Sequence, residues 1–152
     1  MNTAVDLAET ELFLGLSQDE LAAFAGIARE VRFEPGQVVY DTGAAGDSLY
    51  VIAEGEFIVR VKDGEGEEVD VATLKPRSYF GEMEVVGAIN RTAAVVADGA
   101  GRCYRFEAAE LLALLKRNAN LAAHFYRQIA RELIKRLKNT TRDMGYFKAR
   151  AH

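Results

Sequence analysis

Short hydrophobic runs punctuated by glycine, between Val31 and Phe106, most strongly limit how this chain can fold. The runs are rich in Val, Ile, Tyr and Phe, and turn-forming pairs such as Pro35-Gly36, Asp63-Gly64 and Asp98-Gly99 separate them. Six strands are predicted, at Gln37–Tyr40, Ser48–Ala53, Glu56–Val61, Val69–Leu74, Ala93–Ala97 and Arg102–Phe106. Strands spaced this closely indicate a barrel, a roll or a sandwich.

Helical patterns flank the predicted strands. Ser17-Gln18-Asp19-Glu20 has the form of a capping box, and Leu21, Phe24 and Ile27 follow it at helical spacing. After the strands, residues 108–115 form a short apolar stretch that ends at Lys116-Arg117-Asn118. The sequence therefore predicts helices on both sides of the β region.

A long C-terminal helix is predicted from apolar residues that recur every four positions. The stripe consists of Leu121, Phe125, Ile129, Leu133 and Leu137. One interpretation is that the stripe packs on the β region, and another is that part of it pairs with a second copy of the chain. Both can hold in a helix of this length, which can dock at one end and dimerise at the other.

Composition fits one compact, water-soluble domain. The chain has 152 residues, of which 49% are hydrophobic, enough for one ordinary core. The longest apolar stretch, residues 85–97, is interrupted by Asn90 and Arg91 and is shorter than a membrane-spanning helix. The first residues lack the pattern of a signal peptide, and Cys103 is the only cysteine. A cytoplasmic protein without a membrane span is expected.

Charge is distributed unevenly along the chain. Residues 1–115 carry 9 basic and 21 acidic side chains, whereas residues 116–152 carry 10 basic and 2 acidic ones. A basic helix of this kind can attract nucleic acid, an anionic membrane or an acidic protein, or it can complement the acidic body. The favoured interpretation is a solvated basic face.

The segment from Tyr79 to Val95 contains the residue types that bind a nucleotide. Glu82 and Arg91 lie nine positions apart, in a loop of small residues between two predicted strands. Gly81 allows close backbone approach, and the turn after it offers free amides to an anion. Arg91 can hold a phosphate with two parallel hydrogen bonds, and an ionised Glu82 can accept from a sugar hydroxyl.

This segment resembles the phosphate-binding cassette of the cyclic nucleotide-binding domain family. The matching residues are Phe80-Gly81-Glu82-Met83 and Arg91-Thr92-Ala93, and the run 35–56 is similar to the family's first two strands and their glycine-rich turn. The resemblance implies a mainly β fold with flanking helices (α+β): an antiparallel β-roll, or jelly roll (double-stranded β-helix), with N-terminal helices and a long C-terminal helix. It implies one domain over 1–152, with N-terminal helices over about 4–30, the roll over 31–106, C-terminal helices over 107–141 and a tail over 142–152.

The resemblance also implies a site for cAMP or cGMP. It assigns Glu82 to the ribose 2′-hydroxyl and Arg91 to the cyclic phosphate, with backbone amides near Met83, Glu84 and Thr92 or Ala93 on the phosphate oxygens. Phe80 and Gly81 complete the predicted site. Thr92 is compatible with guanine as well as adenine, so it does not select between the two ligands. The base is expected to lie against the roll, under the last helix.

Two residues depart from the family pattern. Glu84 replaces the usual Ala or Gly, and Asn90 replaces the usual Pro before the arginine. A carboxylate at position 84 is expected to repel the phosphate unless it points to water. Asn90 removes the rigidity that proline gives the loop.

The end of the long helix is similar to the dimerisation helix of the bacterial cAMP receptor transcription factors. The match covers residues 132–141 and implies a homodimer in which Thr140 and Thr141 contact the base. Two threonines are equally typical of a fraying helix end, because Thr has low helix propensity. Those factors continue into a helix-turn-helix domain, whereas these 152 residues contain none, so sequence-specific DNA binding is not expected.

No catalytic motif and no metal-ligand spacing stands out, so neither enzymatic activity nor a metal or other cofactor is expected. The leading hypothesis is a regulatory domain for signal transduction. It binds cAMP or cGMP and signals, through its C-terminal helix, to an unidentified effector protein or to self-association. The alternative is a protein-interaction module that keeps the fold but has lost the nucleotide. Nonspecific nucleic-acid binding through the basic segment, which predicts strong salt dependence, is the least favoured.

Overall fold

A computed structural model describes the backbone of residues 3–151 and the side chains of residues 3–140. The helices are α1 (Thr3–Ala8), α2 (Gln18–Ala25), α3 (Glu82–Gly87), α4 (Ala108–Arg117) and α5 (Ala119–Ala151), with a 3-10 turn at Glu11–Phe13. The strands are β1 (Arg29–Phe33), β2 (Val38–Tyr40), β3 (Ser48–Lys62), β4 (Glu68–Leu74), β5 (Tyr79–Phe80) and β6 (Ala94–Glu107).

The strands form an antiparallel β-roll. The main path of the sheet runs β1-β6-β3-β4, while β2 pairs with β6 and β5 pairs with β3. The two long strands β3 and β6 pair from Ser48 opposite Glu107 to Arg60 opposite Ala94. The predicted fold class, a β-roll with N-terminal helices and a long C-terminal helix, is confirmed.

The two long strands each join a pair of predicted strands. Gly55 was expected to end a strand, but β3 continues through it with register shifts on either side, between Ile52 and Glu54 and between Glu54 and Glu56. Gly55 has φ +85°, and a Cβ there would lie 2.6 Å from the Ala100 carbonyl oxygen of β6. The glycine therefore bends the strand where the two strands approach closely, instead of interrupting it.

The N-terminal helices are held by local capping and by aromatic packing. The capping box is confirmed: Ser17 Oγ accepts from the Glu20 amide at 3.2 Å, and Glu20 Oε1 accepts from the Ser17 amide at 2.9 Å. Phe24 of α2 is 1% exposed and lies 4.7 Å from Phe13 and 6.4 Å from Phe125, measured between ring centroids. These rings join the N-terminal helices to α5.

Helix α5 is packed on the body near its start and has no buried side chain between residues 130 and 140. Asn118 Oδ1 accepts from the Leu121 amide at 3.2 Å, which caps the helix where the sequence predicted a break. Leu121, Phe125 and Ile129 are buried, whereas Leu133 and Leu137 are 36% and 66% exposed. The stripe therefore packs on the body only as far as about Ile129.

The backbone of α5 continues to Ala151, past the end expected at residue 141. Residues 139–151 contain no proline, and their only glycine is Gly145, so the sequence offers little to stop the helix. Among the residues that the structure describes, no helix is both long and apolar enough to cross a membrane.

Candidate functional site

A cavity of about 660 Å³ opens between the roll, helix α3 and helix α5. Residues from every layer line it: Tyr40, Val59, Ala72, Thr73, Leu74, Lys75, Ser78, Tyr79, Phe80, Gly81, Glu82, Met83, Glu84, Thr92, Ala93, Val95, Glu132 and Arg136. The site residues predicted between Phe80 and Ala93 therefore border one space, and Arg91 lies directly behind its wall. The long helix closes one side.

Gly81 sets the start of helix α3. Its φ is +87°, a left-handed conformation that favours glycine, and a Cβ there would lie 2.9 Å from the Ser48 carbonyl oxygen. The chain can therefore turn sharply from β5 into α3 while lying against β3. The turn places Glu82 and Glu84 in the first turn of α3, and both are buried.

Glu82 is a buried carboxylate that faces the long helix. The residue is 4% exposed, and its Oε1 accepts from Nη1 of Arg136 at 3.2 Å. Arg136 also donates from Nε to Glu132, one turn earlier on α5, at 3.3 Å. Burial raises the pKa of the Glu82 carboxyl, and the positive charge of Arg136 opposes the rise.

Replacing Glu82 with Gln is expected to stabilise the fold at neutral pH. Because the folded-state pKa lies above the ordinary value of 4.5, the stability linked to this group is fully present below that pH. It is lost as the pH rises through the folded-state pKa. Thermal melts should show a higher Tm for Glu82→Gln than for wild type at about pH 7, and no difference at about pH 4.

Glu65→Gln, on an exposed hairpin, provides the matched control and should leave the Tm unchanged at both pH values. A lower Tm for Glu82→Gln at neutral pH would mean that the ion pair with Arg136 outweighs the cost of burying the carboxylate.

Arg91 is almost fully buried, with 2% of the residue exposed. Its Nη1 donates to the Gly81 carbonyl oxygen at 3.2 Å, and its Nη2 donates to the Ser48 carbonyl oxygen at 2.6 Å and to Ser48 Oγ at 3.1 Å. The guanidinium also lies over the ring of Tyr40, 3.9 Å from its centroid. Its Nε is buried and has no hydrogen-bond partner among the described residues, so one donor remains for an anion.

Glu84 points inward, toward Arg91. It is 6% exposed, and its Oε1 lies 3.7 Å from Nη1 of Arg91. Asp47 Oδ1 lies 3.9 Å from Nη2 of the same guanidinium. The carboxylate at position 84 therefore faces a positive charge and does not point to water. Sequence analysis predicted that Glu84 would leave a phosphate undisturbed only if it pointed to water.

The remaining predicted residues occupy different environments. Phe80 is buried, and its ring stacks on that of Tyr50 with centroids 5.1 Å apart. Met83 lines the cavity and is 46% exposed, and Thr92 and Ala93 also line it. Thr140 is exposed, and its hydroxyl donates to the Arg136 carbonyl oxygen at 3.0 Å. Thr141 lies outside the residues whose side chains are described.

Four residues of the site were not predicted from the sequence: Tyr40, Ser48, Glu132 and Arg136. Tyr40 and Ser48 belong to predicted strands, where an aromatic or hydroxyl side chain carries no special signal. Glu132 and Arg136 are spaced four apart on a helix, a common pattern for a surface ion pair. Their position at the cavity depends on how α5 packs on the roll.

Cys103 is a buried free thiol in strand β6. The residue is 0% exposed, and burial raises the pKa of its thiol to about 12, which keeps it a neutral thiol. Within residues 3–140, no cluster of three or more His, Cys, Asp or Glu side chains is arranged to hold a metal ion.

Comparison with known families identifies the domain. The family model for the cyclic nucleotide-binding domain matches residues 30–118, which is more than half of the chain. The chain belongs to the cyclic nucleotide-binding domain family. The matched range contains the whole roll from Glu30 onward, helix α3 and the loop that carries Arg91.

Relatives of this cyclic nucleotide-binding domain are regulatory proteins. The chain is 38% identical, over 97 residues, to a cAMP-dependent protein kinase regulatory subunit from Mucor circinelloides f. lusitanicus. That match covers 64% of this chain and 22% of the Mucor protein, so the chain spans about a fifth of its relative's length.

Solved structures share the same fold. The catabolite activator protein of Thermus thermophilus is similar, with a TM-score of 0.79, 26% identity and coverage of 91% of this chain and 63% of that chain. The N-terminal domain of a Streptomyces coelicolor A3(2) transcriptional regulator has a TM-score of 0.76, 26% identity and coverage of 86% and 94%. The regulatory domain of Toxoplasma gondii PKA, crystallised with cAMP, shares the fold with a TM-score of 0.76, 21% identity and coverage of 88% and 49%.

Proposed function

We propose that this cyclic nucleotide-binding domain is a sensor that binds cAMP or cGMP in the cavity beside α3 and transmits occupancy through α5. The observation that carries the proposal is the contact between Glu82 and Arg136. Glu82 is the carboxylate that the family resemblance assigns to the ribose hydroxyl, and Arg136 belongs to the helix that would carry the signal. A ligand at Glu82 therefore acts on α5 directly.

The phosphate is proposed to bind between Arg91 and the amides of α3 and of the Thr92–Ala93 segment. The free Nε of Arg91 supports this assignment, because a buried donor without a partner is costly unless an acceptor reaches it. A cyclic phosphate carries one negative charge, which the guanidinium would compensate. The base would lie toward the part of α5 beyond Ile129, and contact with Thr140 or Thr141 remains a prediction.

Signalling requires two positions of α5 that bind the nucleotide with different affinity. Between residues 130 and 140, α5 has no buried side chain, and the apolar residues Leu133, Ile134 and Leu137 are exposed. We propose that this segment contacts either an effector protein or a second copy of the chain. Light scattering with and without nucleotide distinguishes the two partners.

Calorimetric titration with cAMP and then with cGMP, at fixed salt, tests the ligand. We expect saturable binding of one nucleotide per chain, and the tighter ligand identifies the base. If the folded protein binds neither nucleotide, a protein-interaction module is favoured. One observation favours this second function: Glu84 already compensates the positive charge of Arg91 without a phosphate.

Arg136→Ala is expected to uncouple the helix from the ligand. In wild type, nucleotide should change the amide hydrogen exchange of residues 130–140, because the ribose engages the Glu82 carboxylate that holds Arg136. In Arg136→Ala, that change should be lost, while nucleotide affinity stays within about tenfold of wild type.

Lys138→Ala, on the exposed surface two residues further along α5, is the control and should behave as wild type. A nucleotide-dependent exchange pattern that survives in Arg136→Ala would show that the signal reaches α5 by another route.

A further inference from the structure

The Glu84 side chain occupies an unusual position for a carboxylate in a site proposed to bind an anion. It lies at the wall of the cavity, is 6% exposed and faces the guanidinium of Arg91 across 3.7 Å. A buried carboxylate this close to a guanidinium forms a neutral pair with it. The same positive charge is the one proposed to receive the phosphate.

The loop before β3 holds Glu84 in this orientation. The backbone of the loop is tied to Arg91 on both sides, since the Gly43 amide donates to the Arg91 carbonyl oxygen and the Arg91 amide donates to the Ala44 carbonyl oxygen, each at 2.8 Å. Gly46 then crosses directly over α3, where a Cβ would lie 2.5 Å from the Cβ of Glu84. The stem of Glu84 is thus covered by the loop, and its carboxylate is directed at Arg91.

The other carboxylates of the site do not neutralise the Arg91 guanidinium as Glu84 does. Asp47 lies 3.9 Å from Arg91, but its side chain is 62% exposed, so water screens its charge. Glu82 accepts a hydrogen bond from Arg136 of α5 at 3.2 Å. Glu84 is therefore the buried anion nearest to Arg91 among the described residues.

We propose that Glu84 is a tethered competitor for the phosphate of the nucleotide. Its carboxylate neutralises Arg91 in this structure and must move away from Arg91, or share it at a cost, when the phosphate binds. This inference rests on the proposed function, because it assumes that the phosphate binds at Arg91. Its consequence is a sensor with a raised threshold, which responds only to high nucleotide concentrations.

The test compares cAMP with adenosine, which lacks the phosphate, in calorimetric titrations of wild type and Glu84→Gln. Gln keeps the shape of the side chain and removes its charge. The ratio of the two affinities measures the contribution of the phosphate to binding. A general loosening of the fold would weaken the binding of both ligands and would leave this ratio unchanged. Glu84→Ala is the second variant, and Glu65→Gln, an exposed glutamate on the β3–β4 hairpin, is the matched control for the loss of one negative charge.

We expect Glu84→Gln and Glu84→Ala to increase the preference for cAMP over adenosine by about tenfold, and Glu65→Gln to leave it unchanged. A preference that emerges only in the Glu84 variants also supports the proposal. If wild type prefers cAMP and the Glu84 variants show an equal or smaller preference, Glu84 does not compete and the inference is wrong while the proposed function stands. If neither wild type nor the variants prefer cAMP, the phosphate site at Arg91 is wrong, and the inference fails with it.

Discussion

Replacing Arg91 with Ala is expected to destabilise the fold by about 3–5 kcal/mol and to abolish phosphate-dependent nucleotide binding. The substitution would remove the guanidinium hydrogen bonds to the carbonyl oxygens of Gly81 and Ser48 and would leave the buried Glu84 carboxylate without its positive partner. Chemical denaturation measures the loss of stability, and titration with cAMP measures the loss of binding. Arg32→Ala, a surface arginine whose side chain is 72% exposed, should cost less than about 1 kcal/mol.

Arg91→Lys separates the two roles of the arginine. Lysine keeps the positive charge beside Glu84 but cannot reproduce the planar fork that reaches Gly81 and Ser48 together. We expect a smaller loss of stability than in Arg91→Ala, together with a strong loss of affinity for cAMP. Equal stability of Arg91→Ala and wild type would contradict the structural role argued for this residue.

Phe125→Ala is the second substitution with a large expected effect, about 3–5 kcal/mol of unfolding free energy. The ring is 1% exposed and lies 6.4 Å from that of Phe24, so its removal leaves a cavity between α2 and α5. Chemical denaturation gives the magnitude. Hydrogen exchange should show that the first half of α5 loses protection more than the strands of the roll do.

Tyr126→Ala, at the next position and 41% exposed, is the control, with an expected loss below about 1 kcal/mol. If Phe125→Ala and Tyr126→Ala cost the same, α5 is not anchored by the aromatic cluster. A model in which the packed half of α5 is the fixed end of the signalling helix would then fail.

Local patterns predicted much of the fold. The capping box at Ser17 and the four-residue repeat of α5 are encoded within a few positions, and the turn residues placed most strands. Strand β1 was missed because three of the five residues in Arg29-Glu-Val-Arg-Phe are charged, so the segment has too few apolar residues to show a strand pattern. Strand β5 has two residues, too few for any periodicity, and exists because it pairs with β3.

The candidate site was predictable where its residues are close in sequence. Glu82 and Arg91 share one segment, and their chemistry alone suggested a phosphate and a sugar. Arg136 lies 54 positions from Glu82, so their contact follows only from the docking of α5 on the roll. The orientation of Glu84 depends on the loop at Gly46, which comes from a different part of the chain, and no local pattern reports it.

Within residues 119–140, the burial of helix α5 ends part-way along, and this has a geometric consequence for the proposed signalling. The last fully packed side chain of the stripe is Ile129, and Thr140 stands eleven residues further on, about 16 Å along the axis at 1.5 Å per residue. A tilt of about 10° at Ile129 would displace Thr140 by about 3 Å on that geometry. On the same geometry Arg136, about 10 Å along the axis from Ile129, would move by about 2 Å, so a displacement at its contact with Glu82 becomes about one and a half times larger at Thr140.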